Sequence, residues 1–482
     1  MIPLSVAQVA EATGAVLADV TDPAALVIGP VVIDSREAGP GALFAALPGT
    51  RTDGHKFAAA ALAAGATVVL ATRAVGGPAL IVPDVQVALG RLARAVIDRA
   101  PHLTVIGITG SMGKTTTKDL LAQLIETLGP TVAPRNSFNN EIGHPLTVLK
   151  ISDETRYLVS ELSARAPGHI TYLCQIAPPR LGAVLCVGHA HAGEFGGLDR
   201  IAEAKGELPA ALPADGVAVL NADDHRVAAM ADRTRARVVT FGRSQAADVR
   251  AADVLADEAG RPGFTLITPA GSAHVQLQLY GEHHVQNALA AAAIAEQLGM
   301  PVADIAAGLT AATTRSRWRM EVTRLPDGVT IVNDAYNANP DSVRAAITAV
   351  VTMARQGRGF AVLGQMTELG DDEDRLHEEV GAYAAAAGLA GLIVVGDAAA
   401  PILAGAKAVP SWQGELVPVP DAAAAVRAVR ERARAADVVL VKASHSIGLE
   451  RVALALTGER PAPEPEQVRP EAEAAPPEEL HP

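Results

Sequence analysis

The chain has 482 residues, of which 49% are hydrophobic and only 3% aromatic, and its formal net charge at pH 7 is −13. This length predicts about three domains, and an acidic chain without a basic tract is not expected to bind nucleic acid. A membrane-spanning helix is excluded because no run of about 18 apolar residues occurs.

The cellular compartment is predicted from the cysteines and from the first residues. Cys174 and Cys186 have no metal-binding spacing, and they favour a reducing compartment over a structural disulfide. Residues 1–5 lack the basic region and the apolar run of a secretory signal. A cytoplasmic protein is therefore expected.

Residues 1–100 are predicted to form an N-terminal α/β domain. Ser5 is expected to cap a short helix, and further elements are expected as strands at 31–33, within 40–47 and at 67–71 and as a helix at 56–64. The polar loops after or between these strands carry Ser35, Arg36, Arg51, Asp53 and His55. Such loops often hold binding groups in α/β folds, although a solvated polar loop accounts for the spacing equally well.

The most informative stretch lies in the second predicted unit, 101–317. An apolar run at 103–106 predicts a buried strand and 116–128 predicts a helix, and between them lies the loop Thr109-Gly110-Ser111-Met112-Gly113-Lys114-Thr115-Thr116. A glycine-rich loop leading into a helix N-terminus presents backbone N–H groups to an anion. Lys114 can then reach the outer phosphates of a nucleotide, and the Thr115 hydroxyl can bind its Mg²⁺. The strict phosphate-loop pattern would require Gly at Ile108, and a turn that binds nothing is the alternative.

Polar residues follow several further strands of this unit. Strands predicted at 157–159, 183–185, 217–220 and 237–240 alternate with helices, which indicates a mostly parallel sheet with helices on both faces. Ligands bind at the carboxyl ends of such strands, where Glu161, His191 and 221–224 fall. Glu161 and His191 beside Thr115 could complete the shell of a second divalent ion, whereas each alone is more often a capping or loop residue.

The third predicted unit, 318–457, begins another alternation of strands and helices. The strand at 329–332 is followed by 333–340, and Pro340 prevents a helix before it, so this polar run is predicted to be a loop. Its hydrogen-bonding side chains are too many for a simple turn. Strands at 359–363, 392–395 and 438–441 indicate a second parallel sheet. The tail, 458–482, is rich in Pro, Glu and Ala and is expected to be disordered.

Taken together, these motifs resemble the Mur ligase family of peptidoglycan synthesis over nearly the whole chain up to residue 457. The motifs that carry the resemblance are Asp34-Ser35-Arg36, Asp53-Gly54-His55, the phosphate loop, Asn139-Asn140-Glu141-Ile142-Gly143, Glu161, Ala190-His191, Ala204-Lys205-Gly206-Glu207, Asn333-Asp334 and Tyr336-Asn337-Ala338-Asn339-Pro340. The resemblance implies a three-domain α/β fold. A central P-loop ATPase domain with a parallel sheet would lie between an N-terminal α/β domain that binds the uridine nucleotide and a C-terminal Rossmann-like α/β domain that binds the incoming dipeptide.

The resemblance also implies an activity. The expected reaction is the ATP- and Mg²⁺-dependent joining of D-alanyl-D-alanine to UDP-N-acetylmuramoyl-tripeptide through an acyl phosphate, by a monomer that uses two Mg²⁺ ions. A ligase that adds the third amino acid would carry Asp-Asn-Pro-Arg where this chain has Asn337-Ala338-Asn339-Pro340. Folylpolyglutamate synthases lack a unit equivalent to residues 1–100. A nucleotide-binding switch protein would hydrolyse ATP slowly without substrates and would not need Lys205.

The resemblance assigns roles residue by residue. Catalytic roles are implied for Lys114, Glu161, His191, Lys205 and Arg319. Metal ligands are implied at Thr115, Glu161, His191 and Lys205, the last as a carbamate. ATP contacts are implied for Thr109, Gly110, Ser111, Met112, Gly113, Lys114, Thr115, Thr116, His283, Asn287, Arg319 and Asp334. Substrate contacts are implied for Ser35, Arg36, Asn139, Asn140, Asn337 and Asn339. The chain departs from common family residues at Cys186, His284, Ser163, His169, Ala443, His445 and Ile447.

Overall fold

The computed structural model describes residues 1–49, 52–134, 137–188 and 192–459. This part of the chain contains three large β-sheets, one after another along the sequence, together with a short antiparallel pair near the N-terminus. The predicted α/β class is confirmed. Among the described residues, no helix has both the length and the apolar character needed to cross a membrane, and Cys174 and Cys186 are both free.

The first sheet lies within the N-terminal hundred residues. Its region contains the strands β1 (Leu4–Ser5), β2 (Val16–Ala18), β3 (Leu26–Val27), β4 (Val31–Val32), β5 (Leu43–Ala45), β6 (Val68–Ala71) and β7 (Ala79–Ile81). The helices are α1 (Val6–Thr13), α2 (Ala58–Ala63) and α3 (Val85–Ile97). The sheet order is β2-β7-β6-β5-β4, parallel except for the β2–β7 pair. The predicted cap is confirmed, because the Ser5 side chain accepts from the backbone N–H of Gln8.

The second sheet carries the phosphate loop. Its strands are β8 (Thr104–Thr109), β9 (Thr131–Val132), β10 (Tyr157–Glu161), β11 (Leu181–Val184), β12 (Val217–Asn221), β13 (Arg237–Gly242), β14 (Val249–Ala256), β15 (Pro262–Thr268) and β16 (Gly271–Gln276). The helices are α4 (Lys114–Ile125), α5 (Gly143–Val148), α6 (His169–Ile176), α7 (Ala192–Phe195), α8 (Leu198–Lys205), α9 (Glu207–Ala210), α10 (His225–Ala228), α11 (His284–Gln297) and α12 (Val302–Ala311).

The strand order of this sheet places β8, which leads into the phosphate loop, third from one edge, between the parallel strands β10 and β11. The order is β9-β10-β8-β11-β12-β13-β14-β15-β16, and the pairs are parallel from β9 to β14. The predicted parallel sheet is confirmed, and β14, β15 and β16 extend it with antiparallel pairs. Helix α4 begins at Lys114 rather than at the predicted residue 116, because Gly113 adopts a left-handed conformation and ends the loop. It ends at Ile125, three residues before the predicted end.

The third sheet follows in the C-terminal part. Its strands are β17 (Glu321–Arg324), β18 (Thr330–Asn333), β19 (Gly359–Leu363), β20 (Gly391–Val395), β21 (Glu415–Val419) and β22 (Val438–Lys442). The helices are α13 (Pro340–Met353), α14 (Glu373–Ala386), α15 (Pro401–Lys407), α16 (Ala422–Arg432) and α17 (Glu450–Thr457). The order is β17-β18-β22-β19-β20-β21, with only the β17–β18 pair antiparallel. Helix α13 begins at Pro340, so the predicted loop before it is confirmed.

The segment that joins the second and third units is fastened to helix α4. The backbone N–H of Ser316 donates to Asp119 Oδ2 at 2.9 Å, and the buried Lys118 forms an ion pair with Asp119. About two turns further on, at the residue that follows the end of the helix, Arg315 donates both terminal nitrogens to the carboxylate of Glu126. The chain therefore enters its third unit from a fixed point on the helix that follows the phosphate loop. The predicted tail from residue 460 onward lies outside the described residues.

Candidate active site

The phosphate loop connects β8 to α4, and the side chain of its lysine, Lys114, lies against the backbone of the loop. Gly113 has φ +82°, and a Cβ there would lie 2.3 Å from Asn287 Oδ1, so glycine is required for both conformation and space. Lys114 Nζ donates to the carbonyl of Gly110 at 2.6 Å. Burial lowers the pKa of Lys114, while the charge of Glu161 opposes this effect. A cation facing the free N–H groups of a helix start is the arrangement expected for binding phosphates.

The hydroxyl groups of Thr109 and Ser111 stabilise the conformation of the loop. Thr109 Oγ1 is fully buried and donates to the carbonyl of Leu162 at 2.8 Å. Ser111 Oγ donates to the carbonyl of Gly188 at 3.0 Å and accepts from the backbone N–H of Gly188 at 2.9 Å. These contacts tie the loop to the segments after β10 and β11. The predicted nucleotide contacts of Thr109, Ser111, Met112 and Thr116 stay predictions.

A buried carboxylate lies beside the first helical turn. Thr115 Oγ1 donates to Glu161 Oε1 at 3.2 Å, and Asn139 Nδ2 donates to the same oxygen at 2.7 Å. Glu161 is 1% exposed, and its other oxygen, Oε2, has no hydrogen-bond partner among the described residues. A buried carboxylate oxygen without a partner is unfavourable unless a cation satisfies it. Hydroxyl and carboxylate oxygens are the ligands that Mg²⁺ prefers, so Thr115 and Glu161 fit this ion.

Lys205 ends helix α8 as a buried lysine. It is 4% exposed, and no carboxylate among the described residues pairs with it. Burial and then the charge of Lys114 lower its pKa to about 7. A large fraction of this amine is therefore uncharged near neutral pH, which is the form that reacts with carbon dioxide to give a carbamate. The predicted partner His191, with His189 and Ala190, lies outside the described residues.

Two histidines and an asparagine lie at the start of helix α11. The rings of His283 and His284 are 4.0 Å apart, and the side chain of Asn287 contacts His284 Nδ1 at 3.2 Å and lies against Gly113. Burial lowers the pKa of His283 to about 4 and that of His284 well below its usual value. Both rings are therefore neutral at neutral pH, as suits contacts with an uncharged base. His284, a departure from the family pattern, is the partner of Asn287.

Arg319 reaches from the third unit into the phosphate site. Its Nη2 donates to Thr115 Oγ1 at 3.2 Å and to Ser137 Oγ at 3.1 Å. Its neighbours Trp318 and Met320 have φ of 58° and 49°. A bulky residue with positive φ costs about 1–3 kcal/mol and persists only where the surroundings fix it, commonly at functional sites. The structure therefore places the predicted Arg319 beside the predicted Thr115.

Asp334 is held by protein groups on both carboxylate oxygens. Oδ1 accepts from the backbone N–H of Met320 at 3.0 Å, and Oδ2 accepts from Lys442 Nζ at 2.5 Å. Lys442 is 3% exposed and also donates to the carbonyl of Asn337 at 2.8 Å. Burial lowers the pKa of Lys442, while Asp334 opposes this effect. The sequence did not place Lys442 in the site, although a lysine ending the apolar strand β22 was a signal for it.

Of the remaining residues predicted to contact substrate, one lies in the site and the others form hydrogen bonds with residues close to them in the sequence. Asn139 contacts Glu161 and belongs to the site. Asn140 Oδ1 accepts from the backbone N–H of Gly143, the first residue of α5, whereas Asn339 Oδ1 accepts from that of Ser342 and caps α13. The predicted contacts of Asn140 and Asn339 with substrate stay predictions, beside an observed structural role.

Three further predicted residues are exposed or bound locally. Asn337 is exposed and its Oδ1 accepts from the backbone N–H of the next residue at 2.9 Å. Ser35 and Arg36 lie in a single 3₁₀ turn after β4, and Arg36 makes a bidentate ion pair with Asp34. Ser137, by contrast, was not predicted, because it lies in a polar loop without any motif and only its neighbours in space mark it.

Comparisons with known proteins identify the family of the chain. Three family profiles match successive parts of the chain, described as "Mur ligase family, catalytic domain" at 27–96, "Mur ligase middle domain" at 108–295 and "Mur ligase, glutamate ligase domain" at 318–445. The UDP-N-acetylmuramoyl-tripeptide–D-alanyl-D-alanine ligase of Mycobacterium leprae is 46% identical, covering 95% of this chain and 99% of the relative.

Solved structures are similar over the same length. MurF from Acinetobacter baumannii is 32% identical with a TM-score of 0.85, covering 95% of this chain and 99% of that one. MurF ligase from Thermotoga maritima, solved in complex with ADP, is 30% identical with a TM-score of 0.79, covering 90% of this chain and 98% of that one. The fold and the family that the sequence motifs predicted are both confirmed.

Proposed function

The chain belongs to the Mur ligase family, and we infer that it is the ATP-dependent ligase that joins D-alanyl-D-alanine to UDP-N-acetylmuramoyl-tripeptide in peptidoglycan synthesis. Relatives with that name match almost end to end. The observation that carries the proposal is the convergence of Lys114, Glu161 and Arg319 around Thr115, which joins a phosphate loop of the second unit to a cation of the third.

The reaction needs an activated carboxylate, and this constellation suits that need. A carboxylate is a poor acyl donor because its oxygen leaves badly. Transfer of the γ-phosphoryl group of ATP to that oxygen releases ADP and gives an acyl phosphate. The amine of D-alanyl-D-alanine then adds to the acyl carbon and loses a proton, and inorganic phosphate leaves. In such transfers the protein mainly positions the groups and offsets charge, which are the roles proposed for Lys114 and Arg319.

Magnesium is the expected partner of the nucleotide. Thr115 and Glu161 would hold one ion, which would neutralise phosphate charge during transfer. We propose a second ion held by His191 and a carbamylated Lys205, in agreement with the low pKa of that amine. His283, Asn287 and Asp334 are proposed to contact ATP.

The outer units would bind the two other substrates. We propose that 1–100 binds the uridine nucleotide through Ser35 and Arg36, that 101–317 binds ATP, and that 318–457 binds the dipeptide near Asn337 and Asn339. Asn139 and Asn140 would meet the peptide substrate. A cytoplasmic monomer is proposed; the free state of both cysteines agrees with a reducing compartment.

The direct test is phosphate release from Mg·ATP with UDP-N-acetylmuramoyl-tripeptide, with and without D-alanyl-D-alanine. Release that requires both, with a pentapeptide product by mass spectrometry, is the expected result. Release with neither substrate would indicate a nucleotide-binding switch protein instead. Release with a single amino acid in place of the dipeptide would indicate a different ligase of the family.

A further inference from the structure

We propose that Tyr336 is a positioning residue that holds Arg319 in the phosphate site and fastens the third unit to the loop before α5. The inference rests on the proposed function, since that function gives Arg319 a phosphate to meet. Tyr336 lies in the turn between β18 and α13 and is partly buried. It belongs to a motif that the sequence singles out, yet no role follows for it from the reaction itself.

The first contact is between the ring and the guanidinium. The Arg319 guanidinium carbon lies 4.1 Å from the centroid of the Tyr336 ring. A cation over an aromatic face at this distance is attracted by the ring quadrupole. The backbones are also joined, because the N–H of Tyr336 donates to the carbonyl of Trp318 at 3.3 Å. The direction in which Arg319 points therefore depends on this tyrosine.

The second contact is between the Tyr336 hydroxyl and Ser137 of the second unit. Tyr336 Oη accepts from the backbone N–H of Ser137 at 3.3 Å. The side chain of Ser137 accepts from Arg319 Nη2 at 3.1 Å and contacts Thr115 Oγ1 at 3.0 Å. Ser137 is thus bound through its backbone by the tyrosine and through its side chain by the arginine. The four residues form one closed set of contacts across the junction of the second and third units.

The ring is itself held in place from the third unit. His445 stacks on Tyr336 with centroids 5.3 Å apart and an interplanar angle of 22°, and it lies 6.0 Å from Trp318. An aromatic side chain packed in this way loses little further freedom when it binds a cation. The stack therefore presents Arg319 to the phosphate site in a preorganised direction.

The test is a double-mutant cycle between Tyr336 and Arg319. Tyr336→Leu, Tyr336→Phe and Arg319→Ala, with the two double variants, are titrated with Mg²⁺ and adenylyl imidodiphosphate and are assayed for kcat. Tyr336→Leu is expected to lower the affinity and kcat about 10-fold, because the cation contact is lost. Tyr336→Phe keeps that contact and should lose about 3-fold, because only a hydrogen bond is removed. In the Arg319→Ala background the cation contact is already absent, so Tyr336→Leu should cost no more than the roughly 3-fold that Tyr336→Phe costs through the hydrogen bond to Ser137.

A matched control exists in the same unit. Tyr383 on α14 bonds Thr348 through its hydroxyl at 2.7 Å, away from the site, so Tyr383→Phe should leave affinity and kcat unchanged. A Tyr336→Leu loss that adds fully to that of Arg319→Ala would overturn the inference, as would an unaffected Tyr336→Leu. If Tyr336→Leu does not fold, Tyr336→Phe still tests the hydrogen bond to Ser137, and an unaffected Tyr336→Phe would overturn the inference. The titration needs no peptide, so a wild type that binds the analogue but makes no pentapeptide would refute the proposed function alone.

Discussion

Replacing Lys205 with methionine should stabilise the protein and abolish its activity. The lysine is buried without a carboxylate partner among the described residues, and its pKa is lowered to about 7. Burying an amine in this way opposes folding, and methionine fills a similar volume without a charge. A residue that destabilises the fold and is nevertheless present is expected to serve function.

The magnitude follows from the pKa difference. Lowering the pKa from 10.5 to about 7 corresponds to about 5 kcal/mol at about 1.36 kcal/mol per pH unit. Between these two values the unfolded chain binds a proton that the folded chain does not, so stability rises with pH in this window. The free-energy cost of burying the amine is at its full value below pH about 7. It falls to about 1.4 kcal/mol at pH about 9.5 and vanishes above pH about 10.5. Relaxation around the amine makes these values upper bounds.

The assay compares unfolding at two pH values. Wild type and Lys205→Met are unfolded with denaturant at pH about 6.5 and 9.5, with a chelator and without carbon dioxide, so that neither metal nor carbamate contributes. The increase in the free energy of unfolding caused by Lys205→Met should be larger at the lower pH by about 3 kcal/mol. As a control, Lys407→Met, at an exposed lysine, should show no such difference between the two pH values. An equal effect at both pH values, or full ligase activity in Lys205→Met, would refute the reasoning. In Lys205→Ala, short carboxylic acids are expected to restore part of the activity.

Three further changes test other parts of the site. Glu161→Gln should lower kcat about 100-fold or more and raise the Mg²⁺ concentration needed, measured by phosphate release, because the ion loses a charged ligand. Gly113→Ala should abolish ATP binding in a calorimetric titration, since its Cβ would meet Asn287 and its φ is positive. Asp334→Asn should destabilise the third unit by about 3 kcal/mol in thermal unfolding, because Lys442 stays buried without its charged partner. Lys442→Met combined with Asp334→Asn should recover most of that loss.

The phosphate loop and the carboxylate beside it were predictable because their chemistry is local in the sequence. A strand, a glycine loop and a helix start in one run of residues fix the anion site, and Glu161 ends the neighbouring strand β10 at the same edge. Parallel strands bring such ends together whatever the rest of the chain does. The antiparallel strands β14 and β16 were not predicted, because their sequences are rich in Ala, Asp and Gly, which are residue types depleted in strands. The strand β15 was also missed, although its burial alternates from Phe264 to Thr268.

The contacts across the units could not be predicted from residue patterns. Ser137 and Arg319 are 182 residues apart and meet only because the linker is fastened to α4 and then turns sharply at Trp318 and Met320. No periodicity or motif records such a turn. Asn339 raises the opposite difficulty, because an asparagine that caps a helix and one that meets a substrate are the same residue in the same kind of loop. The family resemblance identifies the position, and only the contacts of the side chain separate the two roles.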